Sequence, residues 1–216
     1  MVRGVWYRTL EGLLFALPPI IGVGIVGLLQ NHPDPLISQL LVTIASIGGI
    51  VIRVGVPICV LFDARELRAQ RLWRPNGPVY VLGAFFISAP VFGLLYLYRR
   101  HERITLPPGW DSWWVLVAAS LGGAVSGIVV VSLTYLLSLP PAILAAPALI
   151  SGITLAAFPA GIYRDAIYIR NSSRRRWRPN PALYLALAFV SLLVAVLQPP
   201  VAAYYLLRRA NTETPS

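Results

Sequence analysis

Six stretches of the chain are long, apolar and almost free of charge. They are Gly12–Gln30, Leu36–Phe62, Pro78–Tyr98, Trp113–Leu139, Ala142–Tyr163 and Pro181–Leu207. Each has roughly 19–27 residues, and a helix rising ~1.5 Å per residue needs about 20 to cross ~30 Å of hydrocarbon. Barrel strands would be half as long and would alternate polar with apolar positions, and these stretches do neither. Aromatic residues gather at their edges, as at Trp6, Trp73, Trp110, Trp177 and Tyr204, where an interfacial belt is expected. The pattern predicts an all-α polytopic transmembrane bundle of six hydrophobic helices.

The order of landmarks repeats. Pro57, Asp63, Trp73-Arg74-Pro75-Asn76, Tyr80 and Arg99-Arg100 are followed by Pro159, Asp165, Trp177-Arg178-Pro179-Asn180, Tyr184 and Arg208-Arg209. The offset grows from 102 to 104 to 109 along the series, as small insertions in a duplicated unit would make it. The expected organisation is two three-helix pseudo-repeats, residues 1–103 and 112–216, joined by a linker at 104–111.

Three crossings per unit would set the units in opposite senses, as in many transporters. Six crossings place eight Arg on one side and nine on the other, which is no bias. If the third run of each unit instead dips in and returns, all seventeen Arg outside the spans share one face, as the positive-inside rule prefers. Pro90 and Gln198-Pro199-Pro200 would then mark the turning points. Six crossings is the first expectation, because Pro78–Tyr98 is long enough to cross once, and the dipping arrangement is the alternative.

Composition agrees with a membrane. Of 216 residues, 57% are hydrophobic and 12% charged, more apolar surface than a soluble domain of this size can hide. All eighteen basic residues are Arg and the net charge is +10. The Arg sit at the ends of apolar runs, where they meet anionic lipid headgroups, so no nucleic-acid partner is expected. Cys59 is the single cysteine, and His32 and His101 have no ligand-like spacing, so neither metal nor cofactor is expected. The first run is too long for a removable signal and is expected to stay as a span. Gly22, Gly24, Gly48, Gly49 and Gly123-x-x-x-Gly127 suit close helix packing, within the bundle or in a homodimer.

Arg53 is the one charge deep inside a run. An Arg at mid-membrane costs about 2.5–3.5 kcal/mol on insertion scales, so it calls for a partner. Ser46 and Thr43, a backbone carbonyl, or an anion from outside the chain are the choices. Pro57 and Pro159, lacking N–H groups, are expected to kink their helices. Asp63 and Asp165 close the second run of each unit and have Arg neighbours in sequence. Trp73, Pro75, Asn76 and Trp177, Pro179, Asn180 read as re-entry devices, with Asn180, and in a similar way Asn76, capping the next helix.

The series Asp-x-Arg, Trp-Arg-Pro-Asn and Tyr-Leu-Tyr-Arg-Arg-His, over residues 57–101 and 159–209, resembles multi-spanning membrane proteins of halophile-type archaea. That resemblance implies a membrane fold and carries no assigned activity. No catalytic constellation is evident. Two functions are expected from the residues: a small-solute or anion transporter or channel with its site between the units near Arg53, or a membrane scaffold or accessory subunit engaging lipid or a partner protein through its Arg loops.

Overall fold

The computed structural model describes residues 4–29, 35–104, 111–138, 145–172 and 177–211. His32, the run Arg174–Arg176 and most of the expected linker, 105–110, lie outside the described residues. The chain falls into two compact units, Met1–Thr105 and Leu106–Ser216. Every regular element among the described residues is helical.

In the first unit α1 (Val5–Leu29) packs along α2 (Pro35–Ala69). Small residues line the seam. A Cβ on Gly48 would lie 2.8 Å from Ile20, and one on Gly55 2.8 Å from Leu13, so the backbones approach because no side chain intervenes. Gly24 and Gly27 sit in the same seam, whereas Gly22 and Gly49 face open space. The opposite side of α2 is apolar and outward. Ile44, Ile47, Ile50, Val51, Val54 and Ile58 are each more than 40% exposed, an arrangement suited to lipid rather than water. Three segments, Val5–Leu28, Pro35–Ala69 and Asp111–Leu136, are long and apolar enough to cross a membrane.

The second unit opens with a single 3₁₀ turn at Asp111–Trp113, then α5 (Trp114–Leu136) and α6 (Ala145–Asn171). α6 has 27 residues, enough length to cross as well. Its core joins Val117 of α5, Phe158, Ile162, Ala166 and Ile169 of α6 and Tyr205. Helices α2 and α6 run on through Pro57 and Pro159, which are both buried.

The third run of each unit corrects the six-helix expectation. Pro78–Tyr98 is two helices, α3 (Gly77–Phe86) and α4 (Ala89–Arg103). Between them Ser88 is extended (φ −162°, ψ 113°), and Ile87 and Ser88 both donate to the Gly83 carbonyl. Pro90 falls in the first turn of α4, where its missing N–H costs nothing and its fixed φ suits the start of a new helix. Pro181–Leu207 divides in the same way into α7 (Pro181–Leu193), a 3₁₀ turn at Ala195–Leu197, and α8 (Gln198–Ala210). Pro199 and Pro200 remove two successive donors there.

Helices α3 and α4 fold back on one another. The first residue of α3, Gly77, lies against Ala64 of α2, with its Cβ position 3.7 Å from that of Ala64. The last turns of α4 return to the neighbouring Asp63, which holds Arg100. Both feet of this hairpin therefore stand at one level of α2. The tip, Ile87–Pro90, reaches Ile52 and Arg53, about 15 Å along the helix at ~1.5 Å per residue.

Gly83 lets the two arms close. A Cβ there would collide with the Phe92 ring. Gly83→Val is expected to lose about 1–3 kcal/mol by overpacking, read as a lower unfolding midpoint in detergent. Gly22→Ala, with nothing within 4 Å, is expected to be neutral or slightly stabilising.

Candidate functional site

The strongest polar features are two buried clamps. In the first unit Arg100 donates from Nε to Asp63 Oδ2 at 2.9 Å and from Nη2 to Oδ1 at 3.4 Å. The Tyr96 hydroxyl donates to the same Oδ2 at 2.6 Å. Tyr96 and Arg100 are four residues apart on α4 and so share a face. The side chains of Asp63 and Arg100 are both 0% exposed. The guanidinium also lies over the Tyr7 ring of α1, 3.8 Å from its centroid, a cation–π contact that joins a third helix to the clamp.

The second unit makes the corresponding contacts. Arg209 donates from Nε to Asp165 Oδ2 at 3.0 Å, and the Tyr205 hydroxyl donates to Oδ2 at 2.8 Å. Arg209 Nη2 adds a bond to Asp111 Oδ1 at 2.7 Å, and its guanidinium stands 5.5 Å from the Trp114 ring centroid. Asp63 and Asp165 thus find their Arg partners 37 and 44 residues along the chain, not among their immediate neighbours. Their near neighbours turn elsewhere: Arg65 lies over Phe62, and Arg68 donates to the Pro75 carbonyl.

The Trp-Arg-Pro-Asn elements cover these clamps. Trp73 packs on Tyr96 at 5.5 Å, with Tyr80 on the other edge of that ring at 5.4 Å. Trp177 and Tyr184 meet Tyr205 at 5.3 Å and 4.9 Å. The Pro75 carbonyl accepts from Arg68, and the Pro179 carbonyl from Arg170 at 3.5 Å. Asn180 caps α7 by accepting from the Ala182 N–H at 3.1 Å. Asn76 does not cap with its side chain; its backbone carbonyl accepts from Val79 and Tyr80 instead.

Arg53 stands apart from the clamp of its own unit. It lines a cleft of about 240 Å³ with Leu17 of α1, Gly49 and Ile52 of α2, and Ala84, Ser88 and Ala89 of the hairpin. Among the described residues it makes no hydrogen bond or ion pair with the protein, and it is exposed to the cleft. The N-terminus of α4 opens at the same place, and the first N–H groups of a helix have no carbonyl a turn back. A cation and a positive helix end therefore converge with no anion among the described residues.

The chain matches no family model, no curated protein and no solved structure.

Thr43 and Ser46 do not join Arg53. Each hydroxyl donates to the carbonyl one turn back on α2, Thr43 to Gln39 at 2.7 Å and Ser46 to Val42 at 2.8 Å. The cleft is lined wholly by the first unit, whereas the sequence placed the site between the units. The clamp tyrosines and the second Arg of each pair were missed as partners. Their signal was the recurrence of Tyr-Leu-x-Arg-Arg at 96–100 and 205–209.

Proposed function

We propose that the protein is a multi-pass membrane protein that carries a small anion, with Arg53 and the tip of the first hairpin as its contact site. In this arrangement α1, α2, α5 and α6 cross, and the hairpins α3–α4 and α7–α8 enter and leave on one face. The duplicated order of landmarks supports it, since the same clamp residues recur in each unit. An even number of crossings in each unit puts all seventeen Arg outside the spans on a single face, which restores the positive-inside bias. Broken backbone at depth is tolerated where it is shielded by protein or borders a polar cavity, and the Ile87–Ser88 break borders the Arg53 cleft.

The observation that carries the anion reading is Arg53 itself. A guanidinium in an apolar segment is costly, and no carboxylate among the described residues pairs with this one. An anion entering the cleft completes the pair, and a break between half-helices is where transporters commonly place such a site. Cell-membrane localisation follows from this proposal.

The test is flux of chloride and nitrate into proteoliposomes. The wild-type chain is expected to exceed protein-free vesicles, and Arg53→Leu to lower the flux at least tenfold, about 1.4 kcal/mol at the site. Wild-type flux equal to that of empty vesicles for both anions would remove the proposal. A second reading, a scaffold subunit held by anionic lipid headgroups, is favoured by the exposed Arg71, Arg74 and Arg103 near the hairpin feet. It predicts no flux and binding that rises with the anionic lipid fraction.

A further inference from the structure

Arg53 offers one positive charge, and its surroundings narrow the anion it can hold. Among the described residues that line the cleft, Arg53 alone is charged. Leu17, Ile52, Ala84 and Ile87 make much of the wall apolar. Ser88 adds a hydroxyl. It is the N-cap of α4, yet its side chain makes no capping bond to that helix, so the hydroxyl is left for an occupant.

One cation among apolar walls matches a monoanion. A dianion would bring a second charge that nothing in the lining balances, and an uncompensated charge in such surroundings is costly. An inorganic ion fits the charge but not the walls. It exchanges its water shell for donors all around, and the donor side chains of the cleft are Arg53 and Ser88. Pro90 also removes one N–H that the start of α4 would otherwise add.

Size points the same way. The cleft has a volume of about 240 Å³. At ~30 Å³ per water that is about eight waters, and counting each heavy atom of a solute alike gives a body of roughly six to eight heavy atoms. A halide leaves most of the space unfilled, and a long acyl chain exceeds it. An anionic head carrying about four carbons fills it, with the head on the guanidinium and the chain against the apolar walls.

Gly49 keeps that space open. It precedes Arg53 by four residues on α2, so the two share a face. A Cβ on Gly49 would meet nothing within 4 Å, although the residue lines the cleft. Gly48 and Gly55 differ, because side chains of α1 already stand where their Cβ atoms would be. Helix packing therefore does not call for glycine at position 49; the room its missing side chain leaves belongs to the cleft.

We infer that the Arg53 cleft selects a small amphipathic monoanion, a carboxylate or sulfonate head on a short apolar chain, and that Gly49 sets the chain length it admits. The inference rests on the anion-transport reading and names the substrate class of that site. The same chemistry comes from water as a short-chain acid and from the bilayer as a free fatty acid, and the volume of the cleft favours the short chain.

The experiment uses the full chain in proteoliposomes containing potassium salts and valinomycin, with volume changes followed by light scattering. Chloride, methanesulfonate and butanesulfonate are the probes, because sulfonates stay ionised and do not cross as neutral acids. After subtraction of protein-free vesicles, butanesulfonate is expected to pass at least fivefold faster than either of the others. Gly49→Leu is expected to lower butanesulfonate flux at least fivefold and chloride flux less than twofold, with Gly49→Ala intermediate for butanesulfonate. The surviving chloride flux reports that the variant is folded. Gly22→Leu, at a glycine that also faces open space but lies outside the cleft, is expected to change neither flux. Arg53-dependent chloride flux with butanesulfonate no faster would sink this inference alone; absence of flux for all three anions would sink the transport reading with it. Equal losses of chloride and butanesulfonate flux in Gly49→Leu, or a butanesulfonate preference that survives it, would overturn the role of Gly49 and the inference with it. A fatty acid retained through purification and seen by native mass spectrometry, in a protein that passes no butanesulfonate, would assign the cleft to the lipid source and overturn the short-chain assignment.

Discussion

Asp63→Ala is expected to destabilise the protein by about 3–5 kcal/mol, because it strands a buried guanidinium. Arg100 has 0% side-chain exposure and loses both of its carboxylate bonds, while the Tyr96 hydroxyl loses its acceptor. The Tyr7 ring remains beneath the charge but offers no hydrogen bond along the guanidinium edge. The loss should appear as a lower unfolding midpoint in detergent and as faster tryptic cleavage at Arg99 and Arg103, since the foot of α4 is released from α2. The pair's net worth is a separate quantity. Asp63→Leu combined with Arg100→Met removes both charges, and similar replacements of buried pairs are often neutral. The double variant is therefore expected to recover most of the loss. A single-variant loss below about 1 kcal/mol would show that the pair is open to water.

Asp165→Ala is expected to cost less than Asp63→Ala, roughly 1.5–3 kcal/mol. The two clamps share a Tyr, an Arg and an Asp, but Arg209 keeps a second carboxylate, Asp111 Oδ1 at 2.7 Å, and the Asp111 carbonyl at 3.2 Å. The Asp111 side chain is 60% exposed, so its share is the salt-sensitive one. Asp111→Ala alone should cost under about 1 kcal/mol, as solvated pairs do. Removing both aspartates should exceed the sum of the single losses, because each covers for the other at Arg209. The check is a double-variant cycle in detergent at low and high salt. Equal losses at Asp63 and Asp165 would contradict the role given to Asp111.

The helical class and the apolar segments were legible because helix rise and bilayer thickness convert directly into residue counts. The third runs were not, because hydropathy measures composition and does not register a broken ladder. Pro90 and Pro199-Pro200 marked the breaks, but proline alone does not say whether the chain then goes on or turns back. What decides that is the Asp63–Arg100 contact across 37 residues, beyond the reach of any local spacing rule. The same distance explains why Asp63 was matched with its sequence neighbours. Arg53 was legible as a charge among apolar residues, while its cleft was not, since the lining at Ser88 and Ala89 comes from the hairpin tip. Ser46 and Thr43 were attractive only by proximity in sequence. A hydroxyl in an apolar helix satisfies itself on the carbonyl a turn back, as both do.

The most direct test of the hairpin topology is cysteine accessibility in sealed, oriented vesicles. Single cysteines would be placed by Gln70→Cys, Glu102→Cys and Ser138→Cys in a Cys59→Ala chain and probed with a membrane-impermeant maleimide. Residues 70 and 102 flank the first hairpin, and 138 follows α5. Labelling of 70 and 102 from one side, with 138 reached only from the other, is the expected result. Labelling of 70 and 102 from opposite sides would mean that the third run crosses, and the account built on its return would fail.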